Sequence, residues 1–167
     1  GSFWRLWRNV SGARTEKIFS LMSKNRLPMT LSDRNRLNVL LVVPRYQTYG
    51  MDRHYVMPIG ILAVSSYLKR ADVANVFTLN LNHESGAERD VLRDTLVGND
   101  IQMLGIGGLS GEYRDIKRIV SYARDIKPEL KIMVGGGIMT ADPEAAMEAL
   151  EEADYGEIGE GEITTVE

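Results

Sequence analysis

From Leu37 onward, short apolar runs that end in glycine or proline alternate with longer segments of helical period, and this alternation constrains the fold more than any other feature of the chain. A strand buried on both faces is apolar nearly throughout, and the crossover to its parallel neighbour is usually a helix. The first run, Leu37–Val43, is apolar except for Asn38 and is stopped by Pro44. A loop from Arg45 to Met57 follows, with Pro58 at a first helical turn and a helix predicted to about Arg70. A second strand is predicted near Val76 to Leu81 and a weaker helix around Glu88 to Val97. The third strand, Ile101 to Ile106, runs into Gly105-Ile106-Gly107-Gly108-Leu109-Ser110-Gly111. After it Ile116, Ile119, Val120 and Ala123 recur at helical spacing, so that helix has one apolar face to pack on the sheet. The fourth strand, Lys131 to Val134, leads into Gly135-Gly136-Gly137. Asp142-Pro143-Glu144 then supplies an N-cap, a proline at the first helical position and an acid favourable to the helix dipole, starting a helix predicted to about Leu150. A short fifth strand near Tyr155 to Ile158 ends in Gly159-Glu160-Gly161-Glu162, and Glu167 falls about a turn into a further helix, as in a truncated protein.

Right-handed crossovers turn this order of elements into one topology: an α/β, flavodoxin-like (Rossmann-like) sheet of five parallel strands in the order 2-1-3-4-5, with helices on both faces. The domain expected is 37–167. Residues 1–36 form a basic appendage, beginning with Gly1-Ser2, which reads as a tag remnant. This appendage holds eight Lys/Arg against Glu16 and Asp33, a charge of +6, and the remainder with 12 basic and 21 acidic residues carries -9. Phe3, Leu6, Trp7 and Val10 fall at helical spacing among its arginines, the pattern of a basic amphipathic helix that packs on its own domain or joins two copies. An acidic body argues against nucleic acid as the partner. No run has the roughly 18 apolar residues of a membrane span, so a soluble, cytoplasmic protein is expected. With no cysteine, the chain itself holds no disulfide, thiolate nucleophile, zinc–thiolate site or iron–sulfur cluster.

In an open parallel sheet, ligands bind beyond the carboxyl ends of the strands, where strand order reverses. That is where the loop after strand 1 and the glycines after strands 3, 4 and 5 fall. Glycine lets a bulky ligand approach the backbone without meeting a Cβ, although tight strand-to-helix turns alone also use it. A dinucleotide site wants Gly-x-Gly-x-x-Gly after strand 1, but Val43-Pro44-Arg45-Tyr46 stands there. No Gly-x-x-x-x-Gly-Lys-Ser/Thr string exists, and strand 3 ends in glycine rather than the Asp of a phosphoacceptor domain.

Four segments, Met57-Pro58-Ile59-Gly60-Ile61-Leu62-Ala63, Leu104 to Ser110, Val134 to Gly137 and Ile158 to Glu162, together resemble the cobalamin-binding domain at the N-terminus of many radical S-adenosylmethionine (SAM) enzymes, over roughly Leu37 to Glu167. The resemblance implies that Pro58, Gly60, Gly107, Gly108, Leu109, Ser110, Gly135, Gly136, Gly137, Gly159, Glu160, Gly161 and Glu162 contact cobalamin, with the detached dimethylbenzimidazole tail in a cleft between strands. The wider superfamily has Ser-x-Leu where Gly107-Gly108-Leu109 stands, which removes one hydroxyl partner of the tail. Asp52-Arg53-His54 matches the start of the superfamily's Asp-x-His-x-x-Gly, in which the imidazole binds cobalt from below and the aspartate holds its other nitrogen. Met57 replaces that glycine, so the expectation is a lower face covered by Tyr46, Tyr49, Met57 or water, with His54 the alternative cobalt ligand. His83, just past strand 2, is the weaker nitrogen donor.

The resemblance further implies a parent enzyme with a downstream Cys-x-x-x-Cys-x-x-Cys domain that binds a [4Fe–4S] cluster and SAM, of the methyltransferase or anaerobic magnesium-protoporphyrin ester cyclase type. The domain alone is expected to catalyse nothing. The rival readings are a flavodoxin-like module that docks a partner or holds flavin mononucleotide, and a stand-alone corrinoid carrier.

Overall fold

A computed structural model describes residues 7–8, 36–45 and 57–166. The elements are β1 (Trp7–Arg8), β2 (Leu37–Val43), α1 (Ile59–Ala71), β3 (Ala74–Asn80), α2 (Glu88–Gly98), β4 (Met103–Gly107), a 3-10 turn (Ser110–Glu112), α3 (Tyr113–Ile126), β5 (Lys131–Gly135), α4 (Gly137–Ala141), α5 (Pro143–Ala149), β6 (Tyr155–Gly156) and α6 (Gly161–Thr164). The sheet order is β1-β6-β5-β4-β2-β3, with every pair from β3 to β6 parallel. The five expected strands therefore lie in the order 2-1-3-4-5. The two-residue β1 joins antiparallel at the outer edge, pairing Trp7 with Gly156 and Arg8 with Tyr155. The helical spacing of Phe3, Leu6, Trp7 and Val10 thus does not carry through Trp7–Arg8, which meets the unpaired backbone groups of an edge strand.

Side chains alternate across the sheet. One face carries Leu40, Val42, Leu104, Ile106, Ile132 and Val134, packed with Leu92 and Leu96 of α2, with Ile116, Ile119, Val120 and Ala123 of α3, and with Met139 and Met147 of α4 and α5. The apolar stripe of α3 is buried as its spacing demands. The opposite face is thinner: Val39, Leu41 and Met103 meet Ile61, Val64 and Leu68 of α1 and Val166 beyond α6. At the amino end of β2 the one polar residue, Asn38, has its N–H bonded to Gln102 Oε1 at 2.6 Å and its side chain donating to Asn99 O at 2.8 Å.

Charged side chains fix the crossovers. Arg118 of α3 reaches Glu88 of α2 at 2.7 Å, Asp115 at 2.7 Å and Arg45 O at 3.3 Å, and the hydrogen bond it donates to Glu88 holds its pKa above the ordinary value. Arg45 donates to the carbonyls of Leu81, Glu84 and Gly86, tying the end of β2 to the loop after β3. Asp142 caps α5 by accepting from Ala145 N at 3.1 Å. The preceding helix α4 has no counterpart in the sequence reading. Five residues opening on glycine carry too little periodicity to be seen. Among the described residues, no helix is long and apolar enough to cross a membrane.

Candidate functional site

The pairing register decides which residues share the thin face. Leu41 aligns with Gly105 and Gly105 with Met133, forming one cross-strand row. Gly107 aligns with Gly135 in the next row towards the carboxyl edge. On β6, a Cβ added to Gly156 would meet Met139 and Met147 on the thick face, so Glu157, one residue on, stands on the thin face beside Gly135.

Between α1 and α6 this face is hollow. A cavity of about 390 Å³ opens there, within the size range of small-molecule sites. Its floor is Leu41, Gly105 and Met133, Pro58 and the α1 residues Gly60, Ile61 and Val64 form one side, and the far wall is Glu157, Gly159, Glu160, Gly161, Glu162 and Thr165. The rim at the strand ends is Gly107, Gly108 and Leu109 on one side and Gly135, Gly136 and Gly137 on the other. The glycine segments read from the sequence therefore surround one cavity.

Of the residues expected to bind a cofactor, Met57 and Ser110 do not line it, and Met57 is exposed. Tyr46, Tyr49 and His54 lie outside the described residues. Sequence reasoning missed Leu41, Ile61, Val64, Met133, Glu157 and Thr165, whose orientation depends on the register and on the packing of α1 and α6. Among the described residues, no cluster of three or more His, Asp or Glu is placed to hold a metal.

Not every glycine serves the cavity. Gly136 has φ of 83°, and a Cβ on it would lie 3.0 Å from Gly108 N. A Cβ on Gly107 would lie 2.9 Å from Gly135 O. These glycines let the loops after β4 and β5 touch backbone to backbone, while Glu112 folds over Gly108 and accepts from Leu109 N at 2.7 Å.

The cavity is apolar below and acidic at one wall. Glu157 is 7% exposed, and its Oε1 has no hydrogen-bond partner. Burial, assisted by the nearby Glu162 charge, pushes its pKa up. No Lys, Arg or His lines the cavity among the described residues, and Glu160 and Glu162 add to its acidity. A dianionic phosphate such as that of a flavin mononucleotide would find no side-chain cation here. The lining suits a neutral, mostly apolar group better than an anion.

Comparison with known proteins bears on the fold and the family. The fold is shared with the radical SAM methyltransferase TsrM from Kitasatospora setae, in a structure with tryptophan substrate and a SAM analogue bound, at 17% identity and TM-score 0.64, over 79% of this chain and 24% of that one. A second TsrM structure, with cobalamin and a [4Fe–4S] cluster bound, gives TM-score 0.56 at 15% identity, over 71% of this chain and 21% of that one. The cobalamin-dependent SAM radical enzyme OxsB, with aqua-cobalamin and SAM bound, gives TM-score 0.51 at 19% identity, over 70% and 16%. The chain thus spans a quarter or less of the length of these proteins. No curated protein sequence matches it. The B12 binding domain family matches residues 52–167, more than half of the chain, and the chain belongs to that family.

Proposed function

We propose that this chain is the cobalamin-binding domain of a cobalamin-dependent radical SAM enzyme, with residues 37–167 as the binding unit and 1–36 as an appendage. The observation that carries the reading is the cavity under the glycine rim, since all the described residues expected to contact cobalamin except Met57 and Ser110 line it. Cobalamin would lie across the carboxyl edge with its benzimidazole base detached and seated between the sheet and α1 and α6. Leu41, Met133, Ile61 and Val64 would pack on the base. The rim glycines would leave room for the tail to enter, and Gly159, Glu160, Gly161 and Glu162 would close the far side. Bound there, the corrinoid supplies a cobalt centre that can carry a methyl group; the protein's part is to hold it, shield its tail from water and present its upper face.

The rest of the parent enzyme is part of the same proposal: a further domain holding the [4Fe–4S] cluster and SAM, for methyl transfer or a related cyclisation. The TsrM and OxsB folds support it. Titration of the purified chain with hydroxocobalamin, followed by visible absorbance, should give saturable binding with the spectrum of a detached base. No spectral change up to millimolar cobalamin would overturn the reading. Three cysteines spaced Cys-x-x-x-Cys-x-x-Cys in the parent reading frame would support the wider proposal, and a frame without them would overturn it.

A further inference from the structure

Among the described residues, Glu157 is the one buried side chain of charged type, and the other buried polar residue is Ser65. It follows directly on β6, its N–H bonds Val134 O at 2.8 Å, and its side chain occupies the thin face beside the cavity. Oε2 lies 3.1 Å from where a Cβ of Gly135 would stand and 2.9 Å from that of Gly161, so two glycines make the room it occupies. Oε1 is buried without a partner. A buried carboxylate in a cavity also lined by Glu160 and Glu162, with no cation among the described lining residues, is strongly disfavoured, whereas a neutral carboxyl carries an O–H that must find an acceptor.

Resting on the cobalamin reading above, we propose that Glu157, as a neutral acid, donates a hydrogen bond to the free ring nitrogen of the corrinoid's detached base, and so selects corrinoids whose base bears such a nitrogen. When the base leaves cobalt, that nitrogen regains an unshared lone pair and enters the cavity as an acceptor. The serine of the superfamily's Ser-x-Leu is absent at Gly107, and Glu157 supplies a donor from the opposite wall. One proton is shared between carboxyl and nitrogen and no covalent bond changes. A phenol-type base has no ring nitrogen and leaves Glu157 unpartnered.

The full chain is titrated with hydroxocobalamin and with a phenolyl cobamide, in the wild type, Glu157→Gln and Glu157→Leu, and dissociation constants are read from visible absorbance. Loss of one buried hydrogen bond corresponds to about a tenfold change. The ratio of the phenolyl to the cobalamin constant should fall about tenfold in Glu157→Leu and stay near the wild-type value in Glu157→Gln, whose amide N–H still donates. Comparing this ratio between variants cancels the cost of detaching the base, which cobalamin alone bears. Should Glu157→Leu not fold, nitrogen-15 NMR of wild-type protein with base-labelled cobalamin decides: an upfield shift from the free imine-type nitrogen supports the hydrogen bond. Cobalamin binding with an unshifted nitrogen, or an unchanged ratio in Glu157→Leu, overturns this assignment and leaves the cobalamin reading standing. No corrinoid binding by the wild type overturns both.

Discussion

The backbone N–H of Ile138 donates to the carbonyl of Gly108 at 3.0 Å, so the loops after β4 and β5 form one unit. Gly136 sits inside that contact at φ 83° and ψ -164°, a conformation reserved for glycine. Gly136→Val should cost about 2 kcal/mol or more in urea unfolding. Gly111→Ala, with open space around its Cβ, should stay within about 0.5 kcal/mol of wild type. Equal effects from both would show that the loops are not held together in this way.

Gly60 separates stability from binding. It lies in the first turn of α1, lines the cavity, and has no atom within 4 Å of an added Cβ. Gly60→Ala should therefore raise stability by about 0.5–1 kcal/mol, because the unfolded chain loses freedom and the helix loses a poor former. Gly60→Trp should fold as well and weaken cobalamin binding about tenfold or more, as overfilling a packed site does. A Trp variant with unchanged affinity would move the ligand away from α1.

Asp142 serves folding alone. Its side chain caps α5, on the face away from the cavity, and Asp142→Ala should cost about 1 kcal/mol by thermal or urea unfolding. Asp142→Asn should recover most of this. Cobalamin affinity should not change in either variant.

Glu157 makes stability depend on pH in a definite direction. Its folded pKa is raised by burial and by Glu162, so between the ordinary carboxyl pKa and the raised one the folded state binds more protons than the unfolded state. Its contribution is present in full below the ordinary value and is lost as pH rises through that window. Glu157→Gln removes the titration. The stability of this variant relative to wild type should rise as pH is taken upward from about 4.5, a typical carboxyl value, and a pH-independent difference in melting temperature would contradict the buried placement.

A prediction for the cobalt follows from sequence alone, because residues 46–56 lie outside the described structure. Met57 takes the place of the glycine in the ligating motif, and Pro58 stiffens the next step. Electron paramagnetic resonance of the cobalt(II) form should show lines without nitrogen triplets, unchanged in His54→Ala. Triplets that vanish in His54→Ala would make His54 the lower ligand.

Much of this protein is local information. The periods of Leu37–Val43 and of Ile116 to Ala123 report how many faces each element buries, and right-handed crossovers then set the strand order and bring the glycine segments to one edge. Family membership was legible in the same segments. The tertiary structure decided what those local signals leave open. Position 157 reads as an ordinary acid near a strand end; only the register of β6 against β5, with Gly156 turned to Met139 and Met147, puts its carboxyl on the thin face and buries it. Likewise nothing local separates Gly136, needed for loop contact, from Gly60, which faces open space. A side chain's surroundings are made by residues distant in sequence, so the cavity between the sheet, α1 and α6 belongs to the assembled fold.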